Sequence, residues 1–166
     1  MLTPEVIAIL DKVKRPANKI IVEPTHQEVD VSANPFGSWF GHIGAMNANE
    51  QWPHWRSTPM VPLCQINTAE LPVMPQTISD IALICVWIGK RNSWRRGSPS
   101  GMGWQIRCYS SLNGLIPIKD TFRKLLNKSW TGKLLHLIQR TSIPDPTPIK
   151  WQLVDDYPSG AHLLIL

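Results

Sequence analysis

Apolar positions recur at helical spacing near the start of the chain and at strand-like spacing through most of the remainder. Thr3-Pro4-Glu5 supplies a hydroxyl cap, a proline suited to the first helical turn, and an acid that the helix dipole favours. Apolar residues then recur every three or four positions from Val6 to Val13. The pattern predicts an N-terminal helix that ends before Pro16.

Several later segments have the composition of β-strands, with β-branched and aromatic residues bounded by turn residues. They are residues 19–23, 60–67, 78–89, 104–110 and 149–154. The segment 78–89 is almost continuously apolar, which predicts a central strand that is covered on both faces and forms a hairpin with 104–110. Between the first two segments, residues 26–59 lack periodicity and predict an irregular but folded layer.

Residues 120–139 combine leucines with four basic residues around Gly132, which predicts one or two short amphipathic helices. The expected fold is therefore α+β: a strand-rich, mostly antiparallel sheet with an N-terminal helix and helical cover near 120–139. A chain of 166 residues is long enough for one domain with an ordinary hydrophobic core. A single domain spanning residues 1–166 is predicted.

Charge and cysteine usage narrow the cellular context. The net charge of +5 favours encounters with acidic partners. Cys64, Cys85 and Cys108 are isolated in apolar runs, so they are interpreted as reduced core residues. Charged residues interrupt the N-terminus before a signal peptide could form, and the longest apolar stretch is too short for a bilayer. A cytoplasmic protein without membrane contact or cofactor is expected.

One segment carries a family resemblance. Ser38-Trp-Phe-Gly-His-Ile-Gly44 precedes Gln51-Trp-Pro53, and both precede Pro62-Leu-Cys-Gln-Ile-Asn-Thr-Ala-Glu-Leu-Pro72. This order resembles the signature of the YwqG-like family, in which a glycine motif, a Trp-Pro and a strand ending in Gln-Ile-Asn lead to a Glu-Leu-Pro. Here two residues separate Gly41 from Gly44, and the proline of the family's glycine motif is absent.

The resemblance implies a strand-rich α+β fold and a family whose function is not established in general. Some members look like components of bacterial toxin and immunity gene clusters. Members are usually longer, so the resemblance also predicts that this chain lacks the family's C-terminal part. The positions that match the motif are Gly41, Gly44, Gln65, Asn67, Glu70 and Pro72.

Gln65 and Asn67 share one face of the predicted strand, because Ile66 between them points to the other face. Their amides either form a ligand-reading pair or tie down the neighbouring loop. The second interpretation is favoured, because buried side-chain amides commonly hold loops in place.

Aromatic residues crowd the segment that also contains His42 and His54. Trp52 and Trp55 suit a packed layer or a binding surface equally in residue type, since tryptophan combines a large apolar area with one donor. The two histidines are weak candidates for metal ligands, because no cysteine or neighbouring carboxylate completes a ligand set.

The sharpest charge feature follows Gly89. Basic residues surround an aromatic one, a combination that suits an acidic protein surface or the phosphates and bases of single-stranded nucleic acid. A solvated hairpin tip is the plain alternative. The members of this cluster are Lys90, Arg91, Trp94, Arg95 and Arg96.

Catalytic patterns are poor. The tightest acidic pair, Asp155-Asp156, sits beside a turn signal, and the chain has neither a Gly-x-Ser-x-Gly elbow nor a phosphate-binding glycine loop. The sequence favours a non-catalytic cytosolic binding protein, most concretely an immunity protein that occludes a bacterial toxin with an acidic surface. The alternatives are a nucleic-acid-associated protein that uses the cluster after Gly89, or a hydrolase.

Overall fold

The structure of the chain is a computed structural model that describes residues 3–23, 29–89, 103–120, 122 and 145–156. One α-helix and ten β-strands lie in these ranges. The helix is α1 (Pro4–Val13). The strands are β1 (Arg15–Val22), β2 (Trp39–Phe40), β3 (Ala45–Asn47), β4 (His54–Trp55), β5 (Thr58–Pro59), β6 (Val61–Asn67), β7 (Leu83–Ile88), β8 (Trp104–Tyr109), β9 (Leu115–Pro117) and β10 (Thr147–Asp156).

Six of the strands form one sheet in the order β1-β10-β2-β6-β7-β8, and each of its pairings is antiparallel. Two small antiparallel pairs, β3 with β9 and β4 with β5, stand beside it. The strand-rich, mostly antiparallel architecture and the N-terminal helix predicted from the sequence are confirmed.

Helix α1 begins and ends as its sequence dictates. The hydroxyl of Thr3 accepts a hydrogen bond from the backbone of Val6, and Pro4 occupies the first turn. The backbone N–H of Lys14 donates to the Leu10 carbonyl at the C-terminal end, after which the chain turns extended to enter β1. No side chain of α1 is buried. Capping rather than packing therefore defines this helix within the described part of the chain.

Strand β1 is longer than the sequence predicts. The prediction began at Lys19, whereas the strand begins at Arg15 and includes Pro16. Its eight residues pair without a break with β10, from Arg15 opposite Asp156 to Val22 opposite Ile149. Strand β10 joins β2 only at its first two residues, so β1 and β10 continue as a two-stranded ribbon. Pro16 is tolerated because β1 is an edge strand.

Strands β6, β7 and β8 form the centre of the fold. Strand β7 lies between the other two, as predicted, and β7 and β8 are antiparallel neighbours. The prediction that β7 is covered on both faces is wrong in part. Leu83, Cys85 and Trp87 are buried, while the residues between them on the opposite face are half-buried. The apolar sequence of β7 therefore corresponds to one face buried in the core and one face that is only partly covered.

The core lies against the buried face of β7. Residues 29–59, the described part of the irregular layer predicted over 26–59, cover this face with turns and the short strands β2 to β5. The buried residues that form the core cluster are Ile43, Ala45, Met46, Met60, Leu83, Cys85, Trp87, Tyr109 and Leu115. The layer contributes Ile43, Ala45 and Met46, so it is part of the core.

The three cysteines differ in environment, which corrects the interpretation that all are core residues. Cys85 is buried and Cys64 is half-buried, but Cys108 is exposed. The reason is register: Cys108 pairs with Ile84 and therefore lies on the less covered face of the sheet, at its β8 edge. All three are free thiols.

The predicted helical cover near 120–139 lies outside the described residues, apart from Asp120 and Phe122. Phe122 is buried and its ring stacks on Trp52, with 5.2 Å between the centroids. Among the described residues, no helix combines the length and the apolar character that a membrane crossing requires.

Candidate functional site

The oxygen and the nitrogen of the Gln65 side-chain amide both form hydrogen bonds inside the protein. Its oxygen accepts hydrogen bonds from the backbone of Gly44 at 2.8 Å and of Ala45 at 3.2 Å. Its nitrogen donates to the carbonyls of Pro35 at 3.0 Å and Gly37 at 2.7 Å. A glutamine amide has two N–H donors and two acceptor lone pairs, so these four bonds use all of them. Gln65 is 0% exposed and offers no group to a ligand.

Asn67 and Glu70 extend the same arrangement along the chain. The Asn67 amide nitrogen donates to the Phe36 carbonyl, and its oxygen accepts from the Ala69 backbone, both at 3.0 Å. The Glu70 carboxylate accepts from the backbone N–H of Ser38 at 3.0 Å. The Asn67 oxygen caps the 3-10 helix Thr68–Glu70. These polar residues hold residues 35–45 against β6.

The glycines of the motif stand where a side chain would not fit or would be strained. Gly41 has a φ of 74°, a backbone conformation that favours glycine, and its N–H donates to the Leu63 carbonyl at 2.8 Å. A Cβ at Gly44 would lie 2.2 Å from the Pro35 carbonyl oxygen. Pro72 is exposed, one residue beyond the cap of the 3-10 helix.

Together, the motif residues between Ser38 and Pro72 form a hydrogen-bonded frame rather than an open cleft. The structure brings Gly44, Gln65, Asn67 and Glu70 together, and it leaves Pro72 at the periphery. The segment that carries the family resemblance therefore shapes the scaffold. The groups available for binding lie elsewhere on the surface.

Trp52, proposed from the sequence as a contact residue, packs within the domain. Its ring stacks on Phe122 and meets Trp87 edge to face, with 6.0 Å between the Trp52 and Trp87 centroids. Its indole N–H donates to the Met60 carbonyl at 2.9 Å. Both the apolar face and the donor of Trp52 are thus used internally.

Trp55 has a different position, at the end of a short hairpin. Strands β4 and β5 are joined by Arg56 and Ser57, both exposed. Arg56 has a φ of 55°, the only positive φ of a non-glycine residue in the described chain. Its guanidinium carbon lies 5.9 Å from the centre of the half-buried Trp55 ring. The Trp55–Arg56 hairpin, residues 54–59, presents a cation over an aromatic ring at the surface.

The basic cluster of Lys90, Arg91, Trp94, Arg95 and Arg96 lies outside the described residues. The strand ends on either side of it are described. The Gly89 backbone N–H donates to the Gly103 carbonyl at 2.7 Å, so the β7–β8 hairpin continues to this point.

A polar network that the sequence analysis missed fastens the layer to β8. The Glu50 carboxylate accepts a hydrogen bond from the Tyr109 hydroxyl at 2.5 Å and lies 3.4 Å from the Arg107 guanidinium. Arg107 also donates to the Gln51 carbonyl at 2.8 Å and stands over the Trp87 ring, 5.1 Å from its centre. Glu50 and Arg107 are 57 residues apart in the sequence, so no local sequence pattern predicts their contact.

The electrostatics of this network follow from its partners. Desolvation raises the pKa of Glu50, but hydrogen bonds from Tyr109 and Asn47 and the charge of Arg107 outweigh it, so the net pKa is lowered. Burial and the bond to Glu50 raise the pKa of Tyr109 well above its ordinary value. Glu50 is therefore an anion held by donors. It lacks the raised pKa of a proton donor at neutral pH.

The two histidines are separated by environment. His42 is 1% exposed, and its Nε2 has no hydrogen-bond partner among the described residues. Burial lowers the pKa of His42 to about 4, so the ring is neutral at pH 7. His54 is exposed, with its Nδ1 2.7 Å from the Trp52 carbonyl oxygen. Within the described ranges, no group of three or more histidine, cysteine or acidic residues could hold a metal ion.

The remaining candidates for chemistry are equally dispersed. Asp155 and Asp156 are consecutive in β10, so their carboxylates point to opposite faces of the ribbon. Burial raises the pKa of Cys64 to about 11 and raises that of Cys85 further, which leaves few thiolates at neutral pH.

No protein-family model matches the chain, and no curated protein matches it either.

Proposed function

We propose that this chain is a non-catalytic binding protein of the YwqG-like type, and that it acts as an immunity protein that occludes a bacterial toxin. Two features of the site support the proposal. Polar residues of the Ser38–Pro72 segment bond to the backbone within the fold, and burial raises the pKa of the Cys64 and Cys85 thiols. The function is therefore assigned to a surface that binds a partner.

The observation that carries the proposal is the conformation of Arg56. A left-handed backbone costs an ordinary residue about 1–2 kcal/mol, and the first central position of such two-residue hairpin turns is usually glycine. Strained backbone tends to persist where function requires it. Here the strain keeps an arginine over an aromatic ring at an exposed tip. Arginine and tryptophan are the residue types that most often dominate protein interfaces.

The charge of the molecule defines the kind of partner. A chain with a net charge of +5 attracts acidic surfaces at long range. The Trp55–Arg56 hairpin and the basic cluster after Gly89 share one chemistry, cations beside a large aromatic ring. The mechanism is steric: these surfaces cover an acidic face or active-site mouth of a toxin, and cytoplasmic residence places the protein where that toxin acts.

The test uses purified proteins encoded by neighbouring genes as candidate partners. Binding is measured for the wild type, for Arg56→Glu, and for Lys119→Glu as a control with the same charge change at another exposed site. We expect Arg56→Glu to weaken binding at least about tenfold, as loss of an interface hot spot does, while Lys119→Glu changes it little. Equal effects of the two substitutions would leave only a general charge effect and would contradict the assigned surface.

Nucleic acid is the competing partner, and salt separates the two. A labelled single-stranded oligonucleotide serves as the probe in a mobility shift at low and at physiological salt. Binding to phosphates weakens steeply as salt rises, because counterions are released. Tight, salt-sensitive retention of the oligonucleotide, without binding to any neighbouring gene product, would replace the immunity proposal with a nucleic-acid function.

A further inference from the structure

Exposed apolar side chains are concentrated in a few elements of the described structure. Six of the eight large apolar residues that are exposed lie in α1, in the β1–β10 ribbon, or at the segment that contacts the ribbon. They are Val6, Ile7, Ile9, Ile20, Met74 and Leu153. Monomeric proteins seldom expose large contiguous apolar patches without a binding role.

Helix α1 contributes one half of this region. Its apolar residues recur at helical spacing, as they do in helices that cover a core. Yet Val6 and Ile9 are exposed, Leu10 and Val13 are only half-buried, and no residue of the helix is buried. Lys14 joins the C-terminal end of the helix to the ribbon through an ion pair with Asp155 at 3.5 Å. The helix thus has an apolar stripe that the described core does not use.

The ribbon contributes the other half. Ile20 lies opposite Trp151 and Asn18 lies opposite Leu153, so these four residues share one face. Ile20 is 44% and Leu153 is 53% exposed. A two-stranded ribbon is only marginally stable in water unless its apolar face packs against something. Within the described ranges, nothing covers this face completely.

A side-chain contact brings Met74 beside the ribbon. The Asn18 amide donates to the Val73 carbonyl and accepts from the Val73 backbone N–H at 3.0 Å. The two bonds fasten the segment after the 3-10 helix to β1, and the next residue is the exposed Met74. The apolar region is consequently braced on both sides, which reduces the entropy lost when it is covered.

The charge of the helix and the ribbon indicates which kind of partner covers the apolar region. The segments 4–23 and 147–156, which include the helix and the two ribbon strands, contain five basic and five acidic residues, so they carry no net charge, although the chain as a whole carries +5. The basic residues are Lys12, Lys14, Arg15, Lys19 and Lys150; the acidic residues are Glu5, Asp11, Glu23, Asp155 and Asp156. An acidic partner gains nothing from a neutral surface. A second copy of the chain meets no net repulsion there, since a surface with both signs can complement itself around a twofold axis.

The mode of contact follows from the edge strand. Pro16 lacks a donor, and an exposed Lys19 adds charge, two features that discourage strands from pairing edge to edge. Extension of the sheet through β1 is therefore disfavoured. Apolar faces, and not strand edges, provide the contact.

We propose that the α1 stripe and the adjoining ribbon face form the interface of a homodimer. This interface shares no residue with the Trp55–Arg56 hairpin. The inference stands whether or not the immunity function does.

The test is the oligomeric state of the intact chain, measured by sedimentation or light scattering over roughly a hundredfold range of protein concentration, since dimerisation depends on mass action. We expect the wild type to dimerise. Ile9→Glu and Leu153→Glu should each raise the dissociation constant at least about tenfold, because each places two like charges in an apolar contact. Ile116→Glu is the matched control, since Ile116 is 49% exposed but lies on β9, and it should dissociate like the wild type.

Three outcomes overturn the proposal. A dimer that Ile116→Glu weakens as much as Leu153→Glu does would place the interface elsewhere. A wild type that stays monomeric while the amides of α1 exchange slowly with solvent would show that another part of the same chain covers the region. A monomer whose α1 amides exchange rapidly would assign the region to a partner of different sequence. Circular dichroism of each variant verifies that the fold is retained.

Discussion

At the scale of single residues, the side-chain amide of Gln65 holds two segments of the layer in place. It joins two turns of the layer to β6 through four hydrogen bonds in a site without solvent access. Sequence reasoning favoured such a role because side-chain amides commonly hold buried loops. It had no means of naming the four partners, since Pro35 and Gly37 are about thirty residues away along the chain.

Gln65→Leu should be among the most destabilising single changes in the described structure. The substitution removes the acceptor that binds the Gly44 and Ala45 N–H groups and the donor that binds the Pro35 and Gly37 carbonyls. Each buried group left unsatisfied costs about 1–3 kcal/mol. We expect the free energy of unfolding, measured in urea, to fall by about 3 kcal/mol or more. Gln152→Leu is the matched control on exposed β10 and should shift it by no more than about 0.5 kcal/mol. Similar losses in the two variants would contradict the role assigned to Gln65.

His42 should make stability depend on pH. Its pKa is about 4 in the folded protein against 6.5 for the free side chain, so between these values the unfolded chain binds more protons. Stability is then complete above pH 6.5 and decreases as the pH falls toward 4, by about 3 kcal/mol in total. Urea unfolding at pH 7 and pH 4.5 measures the loss.

The matched variants are His42→Phe and His54→Phe. Replacement of His42 should remove that part of the pH dependence, because phenylalanine has no proton to bind. Replacement of the exposed His54 should leave the difference between the two pH values as it is in the wild type. An unchanged pH dependence in His42→Phe would show that other groups account for the acid sensitivity.

At the scale of secondary-structure elements, the sequence predicts what local chemistry determines. The cap and spacing of α1, the 3-10 turn after Asn67 and the central place of β7 all follow from neighbouring residues. The start of β1 does not, because Arg15 to Asn18 become a strand only through pairing with a segment more than 130 residues later. The half-covered face of β7 is likewise a property of the assembled sheet.

The elements should differ in local stability in the same way. Strand β7 pairs on both sides and presents a buried face to the core, whereas the ribbon of β1 and β10 pairs on one side only beyond β2. We expect the amides of Leu83–Ile88 to exchange with solvent at the slowest rates and those of the ribbon near Arg15 to exchange much faster. Hydrogen exchange at a concentration that favours the monomer measures both. Equal protection would contradict the proposed marginal stability of the ribbon.

At the scale of the whole molecule, charge and apolar surface are separated. The helix and ribbon are electrically neutral with exposed apolar residues, and the net charge of +5 resides in the remainder of the chain. Composition alone gives the total but not its distribution, because β1 and β10 come from opposite ends of the sequence. The separation supports two different contacts, one with a second copy and one with an acidic partner.

The candidate site was predictable only in part for the same reason. The sequence identified Trp55 as a contact candidate, but Trp52 of the same segment packs in the core. The role of Arg56 appears only in the structure, since its left-handed backbone and its position over Trp55 depend on the hairpin. The network of Glu50, Arg107 and Tyr109 could not be predicted either, because Glu50 lies more than fifty residues from its two partners in the sequence.

We propose that Arg56 is retained for binding and not for folding, and the Arg56→Gly variant separates these two roles. Glycine relieves the left-handed strain but adds chain entropy and removes the contact with Trp55, so these terms of about 1 kcal/mol each nearly cancel. Two quantities are measured for wild type and variant: the free energy of unfolding and the affinity for the cognate partner protein. We expect an unfolding free energy within about 1 kcal/mol of wild type and an affinity at least about tenfold weaker. An unchanged affinity, or a large loss of stability, would contradict it.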